Sequence, residues 1–210
     1  MNTTQTPAIR QPRRRKLRAV LAAGLVLGLG AAVTLAAWND SEYATGTFAA
    51  GTFNLEGSTD GTTYADHATG ATAATLPFTV NPTNLSPGQV VYSPFAIRLA
   101  AGTTTGASVA VQAVTNTGTV TNLTYALVTT SSITCNAAAV TGATGAAILV
   151  PAGTLLSSVG TPAPFTLVKG ATAGTAGAPV YLCFAVTAGA GLVQGQTGTA
   201  TWQLLATSTS

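Results

Sequence analysis

Val180-Tyr181-Leu182-Cys183-Phe184-Ala185-Val186 is the stretch on which the fold turns. It is apolar at every position, so neither face of an extended chain here suits water, and it predicts a central strand covered on both sides. A strand of that kind needs neighbours, and the chain supplies them. Phe95, Ile97 and Leu99 alternate with Ala96, Arg98 and Ala100, which predicts a strand with Arg98 turned to solvent. Ser108 to Val114 sets Val109 and Val111 against Ala110 and Gln112. Leu123, Tyr125 and Leu127 form another apolar face, with Thr124, Ala126 and Val128 between them. Thr199 to Ala206 places Ala200, Trp202 and Leu204 on one side, opposite Thr201 and Gln203.

The spacers carry turn chemistry: Asn81-Pro82, Ser86-Pro87-Gly88, Ala101-Gly102, Asn116-Thr117-Gly118, Gly170 to Gly177 and Gly189 to Gly198. Ala146 to Gly160, interrupted by Pro151, reads as a strand followed by a short helical turn or loop. Leu85-Ser86-Pro87-Gly88-Gln89-Val90 resembles the turn before a strand in secreted immunoglobulin-type modules. Short strands between such turns predict an all-β fold, an antiparallel β-sandwich of jelly-roll or immunoglobulin-like type. About 170 residues are enough for one domain with its own core.

The N-terminus is built differently. Arg13, Arg14, Arg15, Lys16 and Arg18 precede an uncharged apolar run from Ala19 to Ala37. A basic n-region (1–18), an apolar h-region (19–37) and small residues before a polar start make a signal helix for export. Cleavage is expected after Ala36 or Ala37, which leaves a single secreted β-sandwich domain at 38–210. At nineteen residues the run is also close to a bilayer-spanning length, so retention as an anchor stays the alternative. Membrane contact is expected only through an uncleaved leader, and a signal peptidase is the partner during export.

Charge follows the same division. The formal +3 is the sum of six basic residues in the leader and a net −3 beyond it, where Arg98 and Lys169 stand against Asp40, Glu42, Glu56, Asp60 and Asp66. That leaves no basic footprint for nucleic acid. After His67 there is no acid and no histidine, so general acid–base chemistry and metal ligation lack their groups. No HExxH, G-x-S-x-G elbow or phosphate-cradling loop is present, and Lys169-Gly170-Ala171-Thr172 has its lysine on the wrong side. His67, in Tyr64-Ala65-Asp66-His67-Ala68, reads as a solvated loop residue. No enzyme activity, catalytic residue, cofactor or metal is expected. Cys135 and Cys183 both lie in the exported part, where an even pair predicts a disulfide; two buried thiols in adjacent strands are the alternative.

The segment after the leader reads Trp38-Asn39-Asp40-Ser41-Glu42, then Gly46-Thr47-Phe48-Ala49-Ala50-Gly51-Thr52-Phe53-Asn54-Leu55. It resembles the start of the SipW-dependent exported proteins, the TasA- and camelysin-like matrix proteins with an alternate signal. The remainder is similar to the actinobacterial type through its TCN and LCF cysteine contexts and the closing GTATWQLLA. The resemblance implies a secreted or cell-surface structural protein of the extracellular matrix of a biofilm. It also implies self-assembly into a fibre by N-terminal strand exchange, with Thr47, Phe48, Gly51, Phe53 and Leu55 as the candidate assembly strand. Read from the residues alone, the same segment is an ordinary first strand of the core. A bulge at Ala50-Gly51 would then bring Phe48 and Phe53 to one face. A monomeric adhesin or ligand-binding module is the second functional reading, and a metal-dependent peptidase of camelysin type the third. Trp202, Tyr181, Tyr125 and Phe184 read as core rather than as a carbohydrate platform.

Overall fold

The structure, a computed structural model, describes residues 16–25, 40–79, 82–142 and 146–209. It divides into two units, Met1–Phe48 and Ala49–Ser210. In the first, residues 16–25 form an exposed helix, α1, and residues 40–48 are exposed and belong to no helix or strand. No helix among the described residues is long and apolar enough to cross a membrane. Ala36 and Ala37 lie outside the described residues.

The second unit is an all-β sandwich. Its strands are β1 (Leu55–Ser58), β2 (Val90–Leu99), β3 (Gly106–Gly118), β4 (Leu123–Thr130), β5 (Ile148–Leu155), β6 (Phe165–Leu167), β7 (Val180–Ala188) and β8 (Gly198–Thr209). They form a five-stranded sheet, β1-β2-β7-β4-β5, and a three-stranded sheet, β6-β3-β8. Every pairing between these strands is antiparallel.

β7 lies in the middle of the larger sheet, as its unbroken apolar run requires. Leu182, Phe184 and Val186 point into the main core with Val91, Ile97 and Leu99 of β2, Val109 and Val111 of β3, and Tyr125 and Leu127 of β4. On the outer face, Cys183 is fully buried, clustered with Val128, Cys135 and Ala139. The roof over this face is a one-and-a-half-turn helix, α2 (Ala137–Gly142), tied down by the Cys135–Cys183 disulfide. β3 bulges between Val111 and Ala113, leaving Gln112 exposed.

Strand order separates the two expected sandwich types. In an immunoglobulin fold the last two strands pair in one sheet; here β7 and β8 lie in different sheets. A jelly roll runs 2-7-4-5 in one sheet and 1-8-3-6 in the other. The protein follows that order with one change: β1 pairs with β2 instead of β8.

Three further expectations are corrected. Arg98 is not simply in solvent: its Nε and Nη2 donate to Glu56 Oε2 at 3.1 and 3.0 Å, and its guanidinium stacks 3.8 Å from the Tyr64 ring centroid. The strand and turn expected over Ala146–Gly160 are present, but the domain is not free of helix: α2 falls in the stretch after Cys135, where none was expected. Phe48 and Phe53 share no buried face; Phe48 is 95% exposed and strand structure begins at Leu55. Gly46, Ala49, Ala50 and Gly51 offer too little apolar surface to hold that segment on the core.

Candidate functional site

The candidate assembly residues separate at Gly51. From there the chain is latched to the loop after β2. Thr52 pairs in parallel with Thr103, the Thr52 hydroxyl donates to the Gly102 carbonyl at 2.6 Å, and Thr104 N–H donates to the Thr52 carbonyl at 3.1 Å. Ala100 N–H reaches the Asn54 carbonyl at 3.0 Å, and the Thr103 hydroxyl bonds the same residue's main chain. Gly51 is required for this approach, because a Cβ there would collide with the Thr104 hydroxyl. Leu55 continues into β1 opposite Leu99. Thr47 and Phe48 therefore belong to an exposed arm outside any regular element, while Gly51, Phe53 and Leu55 are held in their own domain.

The sandwich protects three of its four sheet edges. β1 is four residues long, and Gly57 exchanges main-chain bonds with Ala65 at 2.9 and 3.0 Å. β5 carries Pro151, which has no N–H to offer. β6 has three residues and follows Pro162 and Pro164. β8 is the exception. It has twelve residues, Gly198–Thr209, with no proline and no charge, and among the described residues it pairs only with β3. Natural sheets seldom leave such an edge uncovered.

Along that edge the two sheets part, and a groove of about 1070 Å³ reaches the core. Its floor includes Phe95, Ile97, Phe184 and Val186, and one wall is β8 from Gly198 to Ala206. Phe53 stands at its mouth, 41% exposed. Trp202 projects from β8 to tie the sheets together, its ring centroid 4.9 Å from Phe184 and 5.7 Å from Tyr125 in tilted stacking. Among the described residues, neither Trp202 Nε1 nor the Tyr125 hydroxyl has a partner in good hydrogen-bond geometry. Burial pushes the Tyr125 hydroxyl above the usual phenol range, and the neighbouring indole N–H offsets part of that.

The opposite wall is a strap, residues 73–79. Ala74, Leu76 and Phe78 are half-buried against the core, while Ala73, Thr75, Pro77 and Thr79 are exposed. That is a strand's alternation without a strand's ladder. Among the described residues, its main-chain tie to the sheet is one bond, Thr79 N–H to the Tyr92 carbonyl at 3.0 Å.

Among the described residues, Asp66 and His67 are the only ionisable ones lining the groove. His67 is not the solvated residue expected: it is half-exposed, with Nδ1 2.8 Å from the Thr72 carbonyl oxygen. Among the described residues, no three His, Cys, Asp or Glu side chains gather to hold a metal. Asp60 closes a turn, accepting from Thr63 N–H at 2.7 Å, Thr62 N–H at 2.8 Å and the Ser58 hydroxyl at 2.8 Å. Those bonds, the Thr63 one foremost, hold its carboxyl well below the usual carboxylate range. Of the four aromatic residues weighed as a carbohydrate platform, Trp202, Tyr125 and Phe184 stack together between the sheets, and Tyr181 lies outside them.

The open edge and the strap were not foreseen from sequence. The absence of proline and charge along Gly198–Thr209 was the available signal. In comparisons with known proteins, no family model matches this chain, and none of the curated proteins does.

Proposed function

We propose that the protein is an exported, non-catalytic structural protein of the cell surface or extracellular matrix, assembled head to tail by strand addition. The arm of one copy would pair along β8 of the next. The observation that carries this reading is the unguarded twelve-residue edge of β8, on the flank where a jelly roll's first strand would pair. The arm suits it in length and chemistry. Residues 40–50 span about 36 Å when extended, against about 40 Å for β8. The stretch from Tyr43 to Ala50 is uncharged, as is β8. Each main-chain bond formed along the edge contributes about 0.5–1.5 kcal/mol net, and burial of Phe48 adds about 1.5–3 kcal/mol. Because donor and acceptor are different surfaces, the contact is head to tail and repeats from copy to copy, giving a filament wherever the rotation between copies does not close a ring. The disulfide agrees with an oxidising compartment outside the cytoplasm.

Phe48→Asp tests the reading. Since Phe48 is 95% exposed, the variant should melt with the parent while its high-mass species vanish from size-exclusion light scattering. A parent that stays monomeric at high concentration, or a variant that polymerises equally well, overturns the proposal. The first of those results favours the second reading, a monomeric ligand-binding or adhesive module. That reading draws on the same groove, whose volume and apolar lining suit a small molecule.

A further inference from the structure

The acceptor groove has a second wall that a bare sheet edge would not supply. Residues 73–76 and Phe78 all line the groove, and within them Ala74, Leu76 and Phe78, at i, i+2 and i+4, are the apolar side chains turned toward the core, the spacing at which an extended chain presents successive side chains to one side. Their surfaces are only half-covered, and the strap carrying them has one main-chain bond to the sheet. Pro77 removes an N–H from the middle of the strap, which weakens any ladder the strap itself could form. Thr79 N–H donates to Tyr92 of β2, a stretch that β1, paired with residues 96–99, does not reach, and the strap and β8 line the same groove.

We infer that residues 73–79 are a clamp that closes on the strand entering along β8, the partner being the arm of a second copy of this chain; the inference rests on the strand-addition reading above. β8 supplies main-chain bonds, which accept any sequence. The strap supplies apolar contacts, which favour a segment carrying apolar groups on its core-facing side. The strap, with few fixed contacts of its own, belongs to the low-stability end of the fold and gains order when the groove fills. A strap acting as a plug would behave in the opposite way, leaving the groove as the strand arrives.

The test uses the full exported chain, before and after assembly, with two readouts. Amide hydrogen exchange over Gly198 to Ala206 reports whether the β8 edge becomes paired. Chymotryptic cleavage at the Phe78–Thr79 bond, followed by mass spectrometry, reports the state of the strap. The expected result is slower exchange along β8 together with cleavage slowed by about tenfold or more. Slower exchange with cleavage unchanged or faster overturns the clamp and leaves strand addition standing. Unchanged exchange along β8 overturns both. A Leu76→Ser/Phe78→Ser variant supplies a second check. Its assembly midpoint should rise about tenfold or more in concentration while β3–β8 exchange in the monomer stays at the parent's rate. A variant that assembles as readily as its parent, or more readily, refutes the clamp.

Discussion

Removing the disulfide as the pair Cys135→Ala/Cys183→Ala should cost this domain more than any single surface change. The two cysteines are 48 residues apart, and in the chain-entropy description a loop of that length contributes about 4 kcal/mol by restricting the unfolded chain. Alanine rather than serine keeps hydroxyls out of a cluster in which Cys183 is fully buried. The structure also says where the loss begins. α2 has six residues, far too few to hold as an isolated helix, and its anchorage is Cys135 together with Ala139 and Val140 on Val128 and Tyr92. Without the bond the roof should lift first and uncover the outer face of β4 and β7. At about 2–4 °C per kcal/mol for a domain of this size, the melting temperature should fall by about 8–16 °C. Calorimetry of oxidised parent, fully reduced parent and variant is the assay, with limited proteolysis between β4 and β5 as the local readout. A variant melting within about 3 °C of the oxidised parent would show that packing alone holds the roof and would refute this reasoning.

Asp60 should make stability pH-dependent on the acid side. Its pKa is depressed in the fold, so its contribution is present above the unfolded value near 4 and is lost as pH falls through the folded one. The gap in melting temperature between parent and Asp60→Ala should therefore be widest near neutrality and shrink below about pH 4; a constant gap would contradict it. Gly51→Ala drives a Cβ into the Thr104 side chain and should cost about 1–3 kcal/mol, with Thr104→Ala recovering part of the loss in a double-mutant cycle followed by thermal melts. Arg98→Ala removes a half-exposed ion pair with Glu56 and the stack on Tyr64, for a loss of about 1–2 kcal/mol by denaturant unfolding. Arg98→Lys should recover only the charge.

What could be read from sequence was the local pattern. VYLCFAV announces a strand buried on both faces, and the alternation around Phe95, Tyr125 and Trp202 marks core-facing residues that do meet in one cluster. Strand partners are non-local, and no periodicity specifies them. Thr199–Ala206 reads the same whether its strand is flanked on one side or two, and the lack of proline and charge along Gly198–Thr209 was the one trace the open edge left in the sequence. The choice between jelly roll and immunoglobulin order was hidden for the same reason. α2 escaped because six residues cannot show a helical period, and its stability comes from a bond to a residue 48 positions away. The division of the arm at Gly51 depends on Thr104, a contact that spacing does not reveal.

The latch at Thr52 and Asn54 also determines how the domain would respond to a pull. Tension applied through the arm reaches Thr52 first, where bonds to Gly102 and Thr104 resist together with the main-chain tie from Asn54 to Ala100. Beyond it, β1 lies antiparallel to β2 over Leu55–Ser58, so a load along the strand axis shears those bonds in concert instead of peeling them singly. Stretching through the arm is therefore met at the edge of the sandwich, in shear, before any load reaches the central strands.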